Sequence, residues 1–159
     1  MTRAILAAVM LCLACASGQS SPAGTFSRNI GLATEAETVE MTRRILTLHQ
    51  FEIRQEEPGP NLYVETHWRP RNPYADEQAL GIVGAEMRAI VRARPRSGTS
   101  QMGQIYNVDM VVEQRVRTDP SSDWVMGTLT TSARSYAAEL AEDLRTALDV
   151  GVRRFGPGG

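Results

Sequence analysis

The chain has 159 residues, 42 % of them hydrophobic, and a formal net charge of −1. That length builds one domain with a sizeable core, and the balanced charge excludes bulk electrostatic attraction to nucleic acid. All 17 basic side chains are Arg, and both cysteines, Cys12 and Cys15, lie near the start. A domain downstream of them therefore has neither a disulfide nor a cysteine-based zinc site.

Met1-Thr-Arg-Ala is a short basic start. The apolar run from Ile5 to Ala14 is too short to span a bilayer and suits a signal-peptide core, expected over 1–14. Cys12-Leu13-Ala14-Cys15 resembles the lipobox of bacterial lipoproteins. That resemblance implies that Cys15 takes the lipid and becomes the mature N-terminus. Cys12 stands where the pattern prefers Leu. Cleavage after Ala14-Cys15-Ala16 is the alternative, and it releases a soluble secreted chain. The Ser/Gly/Ala-rich stretch that follows reads as a flexible tether, so 15–33 is assigned to the lipidated Cys and its spacer. Phe26, Ile30 and Leu32 are the residues of that stretch apolar enough to dock.

A single domain is expected over 34–156, with a short tail at 157–159. Thr34-Glu35-Ala36-Glu37 is a capping box that starts a helix running to about His49. Phe51 and Ile53 alternate with Glu52 and Arg54 as a short strand. Leu62 to Trp68 alternates in the same way. The prolines at 70 and 73 forbid a continuing central strand. Val83 to Arg94 and Tyr106 to Val116 then show period 2 and form a long hairpin turning within Pro95–Gly103. Both apolar faces meet one core only if paired residue numbers sum to an odd number. The register taken here sets Arg88 opposite Asp109 and Glu86 opposite Val111. Trp124 to Thr130 reads as a short extended piece at most. Thr131 or Ser132 caps a final helix to about Phe155, whose apolar side is Tyr136, Leu140, Leu144, Ala147, Leu148, Gly151 and Phe155. The expectation is an α+β fold: a two-layer α-β-β-β-β-α arrangement with a four-stranded, mainly antiparallel sheet and an N-terminal and a C-terminal helix.

No catalytic constellation emerges. His49 and His67 are the only histidines, and Glu65/His67 lacks a third ligand or an orienting group. The serines show no nucleophile elbow. Glu142 and Asp143 point about 100° apart on a helix and read as solvated face. No metal and no cofactor is expected. The outward arginines of the hairpin, Arg88, Arg92, Arg94 and Arg115, read as a contact for an acidic partner or anionic lipid headgroups. The bland reading of the same residues is a solvated face paired with Glu86, Asp109 and Glu113. Ile90 and Val111 offer a small apolar patch on that face. Trp68, Tyr63 and Tyr74 are candidates to rim a pocket.

The succession of a helix, Phe51-Glu-Ile, a turn and Leu62-Tyr-Val-Glu-Thr66-His-Trp68 resembles the opening of the helix-grip domains in the BamC type of lipoprotein. That family is an accessory of the outer-membrane β-barrel assembly machinery. The shared motif is Thr66-x-Trp68, and this chain has room for one such domain where the family carries two. The resemblance implies a non-enzymatic role, binding envelope proteins at the inner face of the outer membrane through a lipid anchor. The alternative is a periplasmic carrier holding a small apolar or lipid ligand between sheet and helix, in a cavity lined by Met87, Met110 and Trp68.

Overall fold

The computed structural model describes residues 24–97 and 104–154, with side chains up to Asp149. Cys15, the leader, Phe155, the 157–159 tail and the middle of the hairpin turn lie outside the described residues. The elements in order are β1 (Thr25–Thr34), α1 (Glu35–Leu48), β2 (Ile53–Glu57), β3 (Leu62–Thr66), β4 (Arg69–Arg71), α2 (Ala75–Gln78), β5 (Gly84–Pro95), β6 (Ile105–Arg117), β7 (Val125–Met126) and α3 (Thr131–Arg154). The fold is α+β. Its sheet is antiparallel with seven strands, ordered β1-β6-β5-β3-β2, with β4 beside β5 and β7 beside β6. The expected four strands and two helices are thus an undercount.

The largest correction is β1. The segment read as a spacer is a ten-residue strand along β6, with Thr25 opposite Glu113 and Thr34 opposite Ile105. The domain therefore begins by Gly24, ten residues earlier than expected. A bulge between Asn29 and Gly31 hid it: Ile30 and Ala33 are both buried although three positions apart. One extra residue resets the period-2 alternation.

α1 starts at the expected capping box. Glu37 N–H donates to Thr34 Oγ1 at 3.3 Å, and Thr34 N–H donates to Glu37 Oε2 at 3.0 Å. It ends in a Schellman turn. Phe51 N–H reaches Leu46 O at 2.8 Å, and Gln50 N–H reaches Thr47 O at 2.9 Å. Gln50 occupies the left-handed position at φ 61°, where glycine is usual. Phe51 is thereby folded onto the core rather than into β2.

β5 and β6 form the predicted hairpin, with odd-sum pairing. The register differs by four residues: Arg88 faces Glu113, Glu86 faces Arg115, and Arg92 faces Asp109. The expected register made one cross-strand pair of opposite charges, Arg88 with Asp109. The observed one sets three such pairs across from each other, of which Arg88–Glu113 and Glu86–Arg115 close as ion pairs, and it also sets Ile90 opposite Val111 instead of Asn107. Cross-strand pairs contribute about 0.2–1 kcal/mol each, enough to choose between registers that bury the same face.

Helices α1 and α3 cover one face of the sheet. The core joins Ile45 and Leu46 of α1 and Ala133, Ala137, Leu140, Ala141, Leu144 and Leu148 of α3 to the inward residues of β1, β3, β5 and β6. Small residues on α3 let it lie close to the sheet. Each fully buried Leu contributes about 1.5–3 kcal/mol. The helix begins one residue earlier than a Thr131 or Ser132 cap allows. Ala133 N–H donates to Thr130 Oγ1 at 3.4 Å, and Ser132 N–H donates to Asp76 of α2 at 2.9 Å.

Candidate functional site

The opposite sheet face carries no helix, and its side chains make a layer of their own. Arg88 lies at its centre. Its Nε donates to Glu113 and its Nη1 to Glu65, both at 2.6 Å. Its guanidinium sits 4.7 Å from the Trp68 ring centre, and that of Arg115 sits 4.6 Å from the same ring. Arg115 also reaches Trp124 at 5.4 Å, and Arg117 stacks on Trp124 at 4.7 Å. The result is a ladder: Arg88, Trp68, Arg115, Trp124, Arg117. Gly84 makes room for its last rung, because a Cβ there would lie 2.8 Å from Arg117 Nε and 3.2 Å from the Trp124 ring. Arg115 Nε donates to Glu86 at 2.5 Å.

Glu65 anchors the second strand of this layer. It accepts from Tyr63 Oη at 2.6 Å and from Arg54 at 3.2 Å, besides Arg88. The Tyr63 hydroxyl, then Arg88 and Arg54, hold its carboxyl below the ordinary range against the opposing effect of burial. Burial and the same hydrogen bond raise the Tyr63 phenol. His67 is exposed and stands apart from these bonds, so Glu65 and His67 do not form a paired site.

The four arginines predicted as a contact surface divide into two groups. Arg88 and Arg115 are committed to ion pairs and to the tryptophans. Arg92 and Arg94 are exposed, as is Arg96, and none of the three makes an ion pair among the described residues. Arg92 lies over Tyr63 at 5.7 Å. All three stand at the end of β5 next to the hairpin turn. Ile90 is only 2 % exposed, so it offers no patch with Val111.

A second polar cluster lies on the helix-covered side, and the sequence reading missed it. Arg71 grips Glu77 at 2.6 and 2.5 Å, donates to Gln114 at 2.8 Å and stacks on Tyr74 at 4.2 Å. Glu77 and Gln114 are both fully buried. Nearby, Arg69 lies between Phe51 and Tyr136 and donates to the Tyr136 hydroxyl at 3.0 Å. His49 Nδ1 is 3.4 Å from that hydroxyl, and its Nε2 is 2.8 Å from Asp143. Burial raises the Tyr136 and Tyr74 phenols above the ordinary range. Glu142 accepts from Arg28 of β1 at 2.9 Å and also from Arg145. Glu142 and Asp143 stay partly exposed, at 41 % and 44 % of their side chains, and also serve as docking contacts of α3.

The proposed cavity lining is not brought together. Met87 and Met110 are fully buried in the core, while Trp68 lies on the opposite sheet face. Tyr63 and Tyr74 are likewise on opposite sides of the sheet. A shallow groove of about 570 Å³ runs along the α1 surface at Glu35, Ala36, Val39, Glu40 and Arg43, away from both clusters. Among the described residues, no three His, Cys, Asp or Glu side chains converge as metal ligands. No described helix is long and apolar enough to cross a membrane. No family model matches the chain, and no curated protein matches it at a significant level.

Proposed function

We propose that this chain is a lipid-anchored accessory protein of the bacterial cell envelope. It is held at the periplasmic face of the outer membrane through Cys15 and acts by protein–protein contact rather than catalysis, in outer-membrane assembly or maintenance. The observation that carries this reading is the helix-free sheet face. Its central arginines are locked in place, and its outer ones, Arg92, Arg94 and Arg96, are exposed without an ion pair among the described residues. Rigid scaffolds that present unpaired guanidinium groups suit acidic surfaces, which they recognise by bidentate hydrogen bonds. The leader motif supports the lipid anchor, and the BamC-type resemblance supports the outer-membrane location. Kinship with the helix-grip lipoproteins of the BamC type belongs to the same proposal.

The test uses the full-length protein produced in its own envelope. Intact mass beside a Cys15→Ser variant reads the anchor. Isolation from the solubilised envelope, with and without Arg92→Glu/Arg94→Glu, reads the contact. The proposal expects a lipid-sized mass increment and an envelope protein recovered in fixed ratio, lost with the charge reversal. An unlipidated chain, or the same proteins recovered from both variants, overturns it.

A further inference from the structure

The two ends of the sheet differ in chemistry. β1 runs antiparallel to β6, so the chain enters the sheet at the end remote from the hairpin turn. Gly24 marks that place: its carbonyl accepts from Gln114 N–H at 3.1 Å, and a Cβ on it would lie 2.5 Å from Gly127 O. Six large hydrophobic residues are exposed among the described residues, and four of them belong to this end: Leu80 at 68 %, Val83 at 50 %, Val125 at 58 % and Met126 at 53 %. Backbone pairing places them there. Val83 N–H donates to Arg117 O at 2.9 Å, Val125 faces Val116, Met126 faces Arg115, and Leu80 closes the turn that leads into β5. Trp124 precedes Val125, with Arg115 and Arg117 stacked on it.

We propose that this rim, Leu80, Val83, Val125 and Met126 with Trp124 and Arg117, seats the domain on the lipid bilayer into which its anchor inserts. The inference rests on the lipid-anchor reading of Cys15. Eight residues lie between Cys15 and Gly24, a reach of at most about 30 Å when fully extended. The end of the sheet that this short connection joins is the end rich in exposed aliphatic side chains. Aliphatic groups flanked by a tryptophan and arginines match the chemistry of the headgroup boundary. There the apolar groups sink, the indole sits at the interface, and the guanidinium stays with the phosphates. A covalent anchor at one point does not set the orientation of the domain, and this rim supplies the second contact that does. The 12 residues of β5 then carry the opposite end, with Arg92, Arg94 and Arg96, about 35–40 Å away from the membrane. That is the side on which a periplasmic partner is met.

The lipidated protein, purified from its envelope, is reconstituted into phosphatidylethanolamine–phosphatidylglycerol vesicles with brominated acyl chains. Trp68→Phe leaves Trp124 as the single indole, since the chain has two. The seat predicts that Trp124 emission is roughly halved relative to unbrominated vesicles, as for groups buried 5–10 Å into the interface. Val83→Asp/Val125→Asp should restore the emission while far-ultraviolet circular dichroism, lipid mass and flotation with vesicles stay unchanged. A lipidated, vesicle-bound protein with unquenched Trp124, or quenching indifferent to the aspartates, overturns the seat and leaves the anchor standing. The rim then belongs to a protein partner. A chain without the lipid increment that does not float with vesicles overturns both.

Discussion

Glu77 belongs to the most buried ion pair among the described residues. It is fully buried, and it accepts two bonds from Arg71 and one from Tyr74 N–H at 2.8 Å. Arg71 itself is only 8 % exposed in its side chain. Glu77→Ala leaves that guanidinium buried opposite no carboxylate, a loss of about 3–5 kcal/mol. A domain of this size has about 5–15 kcal/mol in total. With a urea slope of about 2 kcal/mol/M, the unfolding midpoint should fall by about 2 M. The double variant Arg71→Met/Glu77→Leu removes both charges together and should recover most of the loss, because the pair contributes little net energy once desolvation is counted. The two variants are compared by urea titration followed by circular dichroism. A Glu77→Ala midpoint within about 0.5 M of wild type would refute the reasoning. So would a double variant no more stable than Glu77→Ala.

Three further outcomes follow from the same structure. Arg115→Ala removes the rung shared by Trp68 and Trp124 and the partner of Glu86, and should cost about 1–2 kcal/mol with a change in near-ultraviolet circular dichroism; Arg115→Lys keeps the charge but not the planar stack, and should show the same spectral change. Gln50→Gly relieves the left-handed backbone at φ 61° and should stabilise by about 1 kcal/mol, raising Tm by roughly 4 °C. The Ser132 N–H holds the Asp76 carboxyl below its ordinary range. A depressed folded-state value means that the contribution is present above about pH 4 and is lost as pH falls through the folded value. Asp76→Asn keeps an acceptor for Ser132, so its urea midpoint should fall less between about pH 7 and pH 3 than that of wild type; an equal fall in both proteins would exclude this role.

Local rules were enough wherever the information lay within one element. Thr34 and Glu37 announce the start of α1, and the observed cap is the predicted one. The alternation of Val83–Arg94 and Tyr106–Val116 announces two strands sharing one buried face, as β5 and β6 do. β1 escaped because Gly31 and the bulge break its alternation, and because Ser, Gly and Ala are common to strands and spacers alike. Nothing local marks Glu77 as buried, because its partner Arg71 is six residues away across a turn that contains Pro73. The tryptophan ladder escaped because Trp68 and Trp124 come from distant parts of the chain and meet only over Arg115.

The sequence by itself determined the α+β class, the long hairpin, the capped start of α1 and which face of the hairpin strands is apolar. These follow from backbone sterics, capping and a period of 2 or 3.6, all read within a few residues. Only the tertiary structure decided the hairpin register, the seven-stranded order, the burial of Glu77 and Gln114, and which arginines are engaged and which are exposed. Those outcomes depend on charges and rings meeting across strands, where several pairings bury the same apolar face and differ by a few kcal/mol in their polar partners.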